Sequence, residues 1–208
     1  MKHREFKDRL YGELGRVASA LGSPHRLELI DLLAQGERSV EDLAGQAGLT
    51  VANTSRHLQV LRASRLVETR KDGRRVYYRL ADAQLFDVVR AIRGLAERRV
   101  AEVDQLVQSY LGSRDDLEPV SRKELLQRVA QEKAVVIDVR PPEEHRAGHI
   151  PGAISMPLEQ VDKGVAALPA RKKIIAYCRG PYCVMAYDAV ARLRARGRRA
   201  MRLADGFP

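Results

Sequence analysis

Two cysteines near the end of the chain, Cys178 and Cys183, have the residue type and spacing best suited to chemistry. They are the only cysteines among the 208 residues, and they stand at the two ends of the segment "CRGPYC". The apolar run before Cys178 predicts a buried strand, and a helical pattern begins near Cys183 or Val184. A loop between a strand and a helix directs backbone N–H groups and the positive end of the helix dipole inward. With Arg179 adjacent, we expect an electropositive loop that favours the thiolate of Cys178 as a nucleophile.

The alternative is that both cysteines are small buried hydrophobic residues, a common fate of cysteine inside cells. The N-terminus lacks the apolar core and cleavage site of a secretory signal, which predicts a cytoplasmic protein. In that reducing compartment a cysteine pair is more often a reactive or redox site than a structural disulfide. The sequence therefore favours chemistry at this loop and leaves a structural role open.

The segments around the loop indicate an α/β domain in the second half of the chain. "AVVIDVR" and "KKIIAYC" are near-continuous apolar runs, typical of strands buried on both faces of a parallel sheet. Helical patterns at 121–130 and about 184–196 flank these runs. We therefore predict a parallel sheet flanked by helices, in a domain that spans 120–208.

The first half of the chain, residues 1–112, is predicted to be mainly α-helical. One β-hairpin interrupts it at 66–80, where residues alternate around Asp72-Gly73. The last helical pattern runs from 83 to 111, and apolar residues lie along one side of it: Leu85, Val88, Val89, Ile92, Leu95, Val103, Leu106 and Val107. A small domain cannot cover so long an apolar face, which predicts a partner helix. The polar segment 113–119 is the predicted linker.

Residues 37–64 have the spacing of a helix-turn-helix. Thr50 is a candidate N-cap for the second helix, and Leu58 and Leu61 are predicted to face inward. Polar side chains on the other sides of this helix can pair with bases or phosphates: Asn53, Ser55, Arg56, His57 and Gln59. The hairpin that follows has a basic tip suited to DNA phosphates: Lys71, Arg74 and Arg75. A helix-turn-helix followed by a hairpin is a winged helix, although each part alone also fits a solvated amphipathic helix pair.

Residues 5–112 resemble the ArsR family of dimeric winged-helix repressors. The resemblance rests on "LGSPHRLELIDLLAQGERSVEDLA" and "TSRHLQVLRASRLVETRKDGRRVYYRL", above all on "SRHLQVLR" and "GRRVYYRL". It implies a homodimer formed through the helices near 5–22 and 83–111. It also implies binding to a double-stranded DNA operator that is palindromic.

Metal-sensing members of that family carry paired cysteines at the position of "RSVEDL", where this chain has Ser39 and Glu41. Others carry His and Asp along the last helix, where this chain has no His. The five histidines show no plausible ligand set: His3, His25, His57, His145 and His149. We predict no metal and no cofactor.

Residues from about 119 to 208 resemble a single rhodanese domain. The matching segments are "DVR", "HRAGHIPGAISMP", the cysteine loop and the terminal "LADGF". The resemblance implies that Cys178 accepts sulfane sulfur as a persulfide from a small donor such as thiosulfate or another persulfide. The implied catalytic residues are the loop, with a pair that fixes it by charge-assisted hydrogen bonds: Cys178, Arg179, Gly180, Pro181, Tyr182 and Cys183, with Asp138 and Arg140. An exposed ion pair of little value is the alternative for those last two residues.

The loop departs from the common rhodanese pattern at two positions. Cys183 stands where Ser or Thr is frequent, and Pro181 stands where Gly is frequent. A thiol at Cys183 can attack a persulfide on Cys178, which releases sulfide and closes a disulfide, or it can hold sulfur in a polysulfide bridge. The sequence leaves the role of Cys183 open.

Composition limits the remaining classes of function. The chain carries 37 basic and 27 acidic residues, for a net charge of +10. No apolar run approaches the ~20 residues of a membrane helix, which predicts no membrane association. The basic run "RLRARGRR" at 192–199 is predicted to be a solvated face rather than a DNA contact.

These features predict a transcriptional regulator, most simply a repressor, whose rhodanese domain senses sulfane sulfur through a Cys178 persulfide or a Cys178–Cys183 bridge. One alternative is an active sulfurtransferase tethered to a repressor domain. Another is a dithiol redox or arsenate-related module, for which the six-residue loop is short. A third is an inert interaction module.

Overall fold

The computed structural model describes residues 1–112, 119–131 and 133–208. They form two compact units, Met1–Leu95 and Ala96–Pro208. The predicted linker 113–119 lies, apart from Pro119, outside the described residues. The predicted boundary between domains at 112 and 120 therefore stays a prediction.

The first unit is built from short helices and a small antiparallel sheet. Its elements are α1 (His3–Leu21), α2 (Pro24–Leu33), β1 (Arg38–Ser39), α3 (Val40–Ala47), α4 (Val51–Ala63), β2 (Val67–Asp72), β3 (Arg75–Leu80) and most of α5 (Gln84–Arg99). The three strands have the order β1-β3-β2. The core lies between α2, α3, α4 and the sheet, and its fully buried members are Leu29, Ile30, Leu43, Leu58 and Leu61.

Local sequence explains the helix-turn-helix. Ser39 caps α3 by accepting a hydrogen bond from the N–H of Asp42 at 3.1 Å. Gly48 ends α3 in the left-handed conformation at φ 64°, where glycine is favoured. Thr50 caps α4 by accepting from the N–H of Asn53 at 3.2 Å. The inward positions of Leu58 and Leu61 and the hairpin of β2 and β3 follow as predicted, and the winged helix-turn-helix is confirmed.

The predicted continuous helix at 83–111 is wrong. The helix α5 ends at Arg99, Val100 is extended at φ −115° and ψ 97°, and a new helix begins at Ala101. Valine is a weak helix former, and basic residues at the end of α5 precede acidic residues in the next first turn, which suits a helix end followed by a helix start.

The predicted apolar face of α5 is covered only in part. Leu85 and Val89 are buried in the core of the first unit. In contrast, Val88, Ile92 and Leu95 are 40–56% exposed. The first unit therefore covers one part of this apolar face and leaves the adjoining part exposed.

The second unit contains a four-stranded parallel sheet. Its elements, after the end of α5, are α6 (Ala101–Leu111), α7 (Arg122–Ala130), β4 (Ala134–Asp138), α8 (Pro142–Ala147), β5 (Ile154–Ser155), α9 (Val161–Gly164), β6 (Lys173–Tyr177), α10 (Val184–Ala195) and β7 (Ala200–Arg202). Short 3-10 turns flank α9 at Leu158–Gln160 and Val165–Ala167. The strand order is β5-β4-β6-β7, and all three pairings are parallel.

Strand β6 is buried on both faces, as its continuous apolar run predicts. Ile174 and Ala176 pack into one apolar cluster, together with residues of α9 and α10. Ile175 and Tyr177 pack into a second cluster on the opposite face, together with Leu125 of α7. The predicted parallel sheet flanked by helices is confirmed. In the described part of the chain no helix is both long and apolar enough to cross a membrane.

Candidate functional site

The cysteine loop joins the C-terminal end of β6 to the start of α10. Cys178 follows the last residue of the strand and is 1% exposed. Cys183 is partly buried and is the N-cap residue of α10. A disulfide joins the two sulfur atoms, and the Cα atoms are 6.2 Å apart, an ordinary separation for such a bond. The structure therefore presents the loop in its oxidised form.

Backbone contacts hold the loop from below. The N–H of Phe207 donates to the carbonyl oxygen of Cys178 at 2.8 Å. Gly206, with φ at 72°, lies directly beneath the loop. A Cβ atom at Gly206 would stand 2.5 Å from the backbone nitrogen of Gly180 and 2.6 Å from the carbonyl oxygen of Cys178. Only glycine fits at this position, so Gly206 helps to set the conformation of the loop. The single feature of the sequence that could have indicated this role is the position of Gly206 shortly after the last strand.

Within the loop, the N–H of Cys183 donates to the carbonyl oxygen of Gly180 at 3.2 Å, which turns the chain toward α10. Tyr187 of α10 donates its hydroxyl to the carbonyl oxygen of Pro181 at 3.4 Å. Tyr182 is 37% exposed, beside Cys183. The loop residues predicted from sequence therefore lie together at one end of the sheet.

The guanidinium group of Arg179 forms an ion pair with the carboxylate of Glu144. Its Nε lies 3.1 Å from each carboxylate oxygen of Glu144, and its Nη2 lies 2.5 Å from Oε1. The Glu144 side chain, on α8, is fully buried. The expected electropositive loop is therefore largely neutralised by a buried carboxylate. Sequence reasoning missed Glu144, because its neighbour Glu143 is the same residue type and no local pattern separates them.

Asp138 and Arg140 form a buried ion pair, since both side chains are 0% exposed. The Nε and Nη2 of Arg140 donate to the two carboxylate oxygens of Asp138 at 2.9 and 2.6 Å. The alternative of an exposed pair of little value is excluded. Breaking such a pair by removing one partner costs about 3–5 kcal/mol, because a buried charge is left uncompensated.

The ion pair connects several segments near the loop. Tyr177 donates its hydroxyl to Asp138 at 2.7 Å, and burial raises the pKa of Tyr177, so it stays a neutral donor. Arg140 donates to the carbonyl oxygen of Gly148 at 2.8 Å and stacks 4.5 Å from the ring centre of Phe207. Since Phe207 binds the carbonyl oxygen of Cys178, the pair supports the loop through Phe207.

His145 and His149 are engaged by the backbone. Their rings stack with centres 3.8 Å apart. His145 Nε2 lies 3.2 Å from the carbonyl oxygen of Ala153, and His149 Nδ1 lies 2.8 Å from that of His145. These contacts fit the structural role favoured from sequence. Across residues 1–112, 119–131 and 133–208, no group of three or more His, Cys, Asp or Glu is placed to hold a metal ion.

The second candidate surface is the outer side of α4. Asn53, Arg56 and Gln59 are exposed, whereas Ser55 and His57 are partly buried. The His57 ring lies 5.3 Å from the ring of His25 on α2. Burial and the positive charges nearby lower the pKa of His57. The predicted residues therefore share one helix, with His57 turned partly toward α2.

The hairpin tip carries the predicted basic residues Lys71, Arg74 and Arg75, all exposed. Gly73, at φ 59°, makes the tight turn between the strands. Arg70, one position earlier, binds Glu37 with Nη2 and Oε2 2.7 Å apart. The exposed cations of the tip therefore lie just beyond an ion pair that joins strand β2 to Glu37.

The basic run at 192–199 is largely exposed, as a solvated face would be, and several of its arginines also bond to neighbouring segments. Arg192 donates to the carbonyl oxygen of Leu158 at 3.0 Å, and Arg198 donates to that of Val165 at 2.8 Å. Arg196 pairs with Asp162 at 3.2 Å. These arginines therefore fasten the segment 158–169 onto α10, a role that depends on tertiary contacts.

Comparison with known proteins identifies both parts of the chain. Residues 23–69 match the model of bacterial regulatory proteins of the arsR family, and residues 121–208 match the rhodanese-like domain. An HTH-type transcriptional regulator of Mycobacterium tuberculosis, Rv0324, is 42% identical over 201 residues, which are 97% of this chain and 88% of that protein.

Two further matches cover the first part only. A biofilm growth-associated repressor of Xylella fastidiosa is 36% identical over 89 residues, 43% of this chain and 78% of that protein. A homodimeric winged helix-turn-helix DNA-binding domain of Mycobacterium bovis, solved by NMR, is 36% identical, covers 48% of this chain and 91% of its own, and superposes with a TM-score of 0.44. The match to Rv0324 over 97% of the chain agrees with the matches to the arsR-family and rhodanese-like models. The chain belongs to the ArsR family of transcriptional regulators and carries a C-terminal rhodanese-like domain.

Proposed function

We propose that the protein is a cytoplasmic homodimeric repressor whose affinity for operator DNA depends on the sulfur and redox state of Cys178 and Cys183. The observation that carries the proposal is the cysteine pair itself. Cys178 and Cys183 form a disulfide at the junction of β6 and α10, and the same chain contains a winged helix-turn-helix. A loop able to exist as dithiol, disulfide or persulfide provides the distinct states that a switch requires.

Operator binding is supported by the chemistry of α4 and the hairpin tip. Arg56 and Gln59 can bond to base edges in a major groove, because guanidinium and amide groups match those patterns of donors and acceptors. The cations at the hairpin tip suit phosphate oxygens, which position the protein without reading sequence. The site residues assigned to DNA are those predicted from the sequence.

Dimerisation is supported by two apolar stripes that the isolated chain leaves exposed. On α1, Phe6, Leu10, Leu14 and Val17 follow helical spacing and are 37–55% exposed. On α5, the residues Val88, Ile92 and Leu95 are 40–56% exposed at the same kind of spacing. Association of two chains through these helices would remove both stripes from water, and a two-fold dimer pairs with a palindromic operator.

Sulfur chemistry is supported by the position of Cys178 at the end of a parallel strand, with a helix start opposite it. This placement favours anionic groups, because a helix N-terminus carries partial positive charge. A small anionic sulfur donor such as thiosulfate or a persulfide is the kind of ligand that this placement would favour. A tenfold change in operator occupancy requires that the sulfur states differ by only about 1.4 kcal/mol in affinity.

The test measures operator affinity and sulfur state on the same samples. Fluorescence anisotropy with a duplex from the promoter preceding its own gene, at fixed salt, compares the reduced, disulfide and thiosulfate- or polysulfide-treated protein. Intact mass reports added sulfur or the loss of two hydrogens. The Cys178→Ser and Cys183→Ser variants are the matched controls.

We expect the affinity of the wild-type chain to shift with its mass while Cys178→Ser stays constant. If the mass changes and the affinity does not, the sensor proposal fails. The chain is then better described as a sulfurtransferase tethered to a DNA-binding domain, and steady turnover of thiosulfate would support that function.

A further inference from the structure

The two cysteines of the loop differ in their access to solvent. Cys178 is 1% exposed and packs in the cluster that contains Ile137, Val139 and Ala186. Cys183 lies at the edge of that cluster, is only partly buried, and follows the exposed Tyr182. We propose that small thiolate nucleophiles, including hydrosulfide, open the disulfide by attacking Cys183 first. This inference rests on the proposed sulfur chemistry of the loop and gives Cys183 its role.

The argument begins with the geometry of thiol–disulfide exchange. The attacking sulfur approaches one disulfide sulfur in line with the bond that breaks, on the side opposite the leaving sulfur. Cys178 is a buried member of an apolar cluster, so a thiolate that attacks its sulfur must displace packed side chains. Cys183 is only partly buried at the edge of the same cluster, so fewer packed atoms must move. Access therefore favours Cys183.

A competing effect favours the other cysteine. Cys183 caps α10, a helix of 12 residues, and the helix dipole stabilises an anion there, which makes Cys183 the better leaving group. A thiol of lower pKa leaves faster, but exchange depends only moderately on thiol acidity: the Brønsted coefficient of the attacking thiol is about 0.4–0.5, or roughly threefold in rate for each pKa unit. Burial of Cys178, which is 1% exposed, opposes attack more strongly, because packed side chains must move before a thiolate can approach, so access decides.

The step balances without any further reagent. A thiolate RS⁻ forms a bond to the sulfur of Cys183, the Cys183–Cys178 bond breaks, and its electron pair leaves on Cys178 as a thiolate. The products are a mixed disulfide on Cys183 and a free thiolate on Cys178, and the disulfide is the oxidant consumed. With hydrosulfide the product on Cys183 is a persulfide, Cys183–S–SH.

The persulfide then reaches Cys178 from within the loop. The Cys178 thiolate attacks the outer sulfur of Cys183–S–SH, which gives Cys178–S–SH and a Cys183 thiolate, again with atoms and charge conserved. Cys183 is thus a relay that receives sulfur from solvent and delivers it to a buried acceptor. A loop with Ser at this position would lack the relay.

Trypsin makes the experiment direct, because it cleaves after Arg179 and separates the two cysteines into peptides 174–179 and 180–192. The full-length disulfide form is mixed with 2-mercaptoethanol, sampled at the earliest times, and blocked with N-ethylmaleimide in denaturant. Peptide mass then locates the mixed disulfide. The earliest samples decide the question, because the mercaptoethanol group can reach the other cysteine only by a second exchange step, in which the new thiolate attacks the mercaptoethanol sulfur.

We expect the first mixed disulfide on peptide 180–192 and the maleimide on peptide 174–179, in a ratio of at least about ten to one. Mixed disulfide mainly on peptide 174–179, equal labelling of the two peptides, or no mixed disulfide at all would overturn the proposal. Hydrosulfide, trapped with iodoacetamide, should place its sulfur on peptide 180–192 at early times and on peptide 174–179 later.

The matched control is the same disulfide form dissolved in guanidinium chloride. Unfolding exposes both sulfurs, so the ratio should fall toward unity. A preference that persists in the unfolded chain would show that burial is not its cause. Selective opening at Cys183 without a change in operator affinity would defeat the proposed function alone, whereas a sulfur-dependent affinity with opening at Cys178 would defeat this inference alone.

Discussion

The contact beneath the cysteine loop predicts a large penalty for Gly206→Ala. A methyl group at Gly206 would meet two backbone atoms, at 2.5 and 2.6 Å, neither of which can rotate away. The left-handed backbone at φ 72° also disfavours alanine by about 1–2 kcal/mol. Displacing packed backbone resembles overpacking of a core and adds about 1–3 kcal/mol. We expect a loss of about 2–5 kcal/mol in the free energy of unfolding of the second unit.

Gly197→Ala is the matched control for this prediction. Gly197 has φ at 73°, nearly the same backbone conformation, yet a Cβ atom there meets nothing within 4 Å. It should therefore lose only the backbone part, about 1–2 kcal/mol. The difference between the two variants isolates the collision with the loop.

Urea unfolding of the full chain measures both variants, with circular dichroism for the whole protein. Hydrogen exchange in peptides from β4 and β6 reports the second unit separately. Gly206→Ala should also change the rate at which thiols reduce the loop disulfide, and Gly197→Ala should not. Equal losses of stability for the two variants would refute the close contact beneath the loop.

Three other predictions address the remaining contacts. Arg179→Gln removes one cation that is paired with the buried carboxylate of Glu144, so we expect a loss of about 3 kcal/mol in the free energy of unfolding in urea. Adding Glu144→Gln should largely restore this stability, and no recovery in the double variant would contradict the pairing. Leu14→Glu places a charge on the exposed stripe of α1 and should convert the dimer to a monomer in analytical ultracentrifugation, whereas Gly12→Glu should remain dimeric; a dimeric Leu14→Glu chain would exclude that interface. Arg74→Ala should weaken binding to different DNA sequences to a similar extent and lower the salt dependence of binding by about one ion; an unchanged slope would remove the hairpin tip from the DNA contacts.

The cysteine loop shows which features neighbouring residues can predict and which they cannot. The strand that ends at Cys178 and the helix that starts near Cys183 follow from a continuous apolar run and a change of periodicity. Glu144, which neutralises Arg179, is 35 positions away in the chain, and Gly206 lies beneath the loop from the other direction. No local pattern marks such partners, because their roles depend on where strands and helices bring them together.

The prediction of one continuous helix failed at Val100 for a different reason, because the residues that end the helix are adjacent in the sequence. The signal was local: basic residues, a β-branched residue and then acidic residues, as expected where one helix ends and another begins. The apolar periodicity continued through the break, and this continuity produced the prediction of one helix.

By itself the sequence determined the two fold classes, the helix-turn-helix caps and the residues of the cysteine loop. These features are encoded by neighbours within a few positions, through periodicity, capping and turn formation. Only the tertiary structure decided that Asp138 and Arg140 are buried, that Arg179 is paired with Glu144, and that Cys178 is buried while Cys183 is only partly buried. Burial and long-range pairing are properties of packed elements, and they set the charge of the loop and the access of each sulfur to solvent.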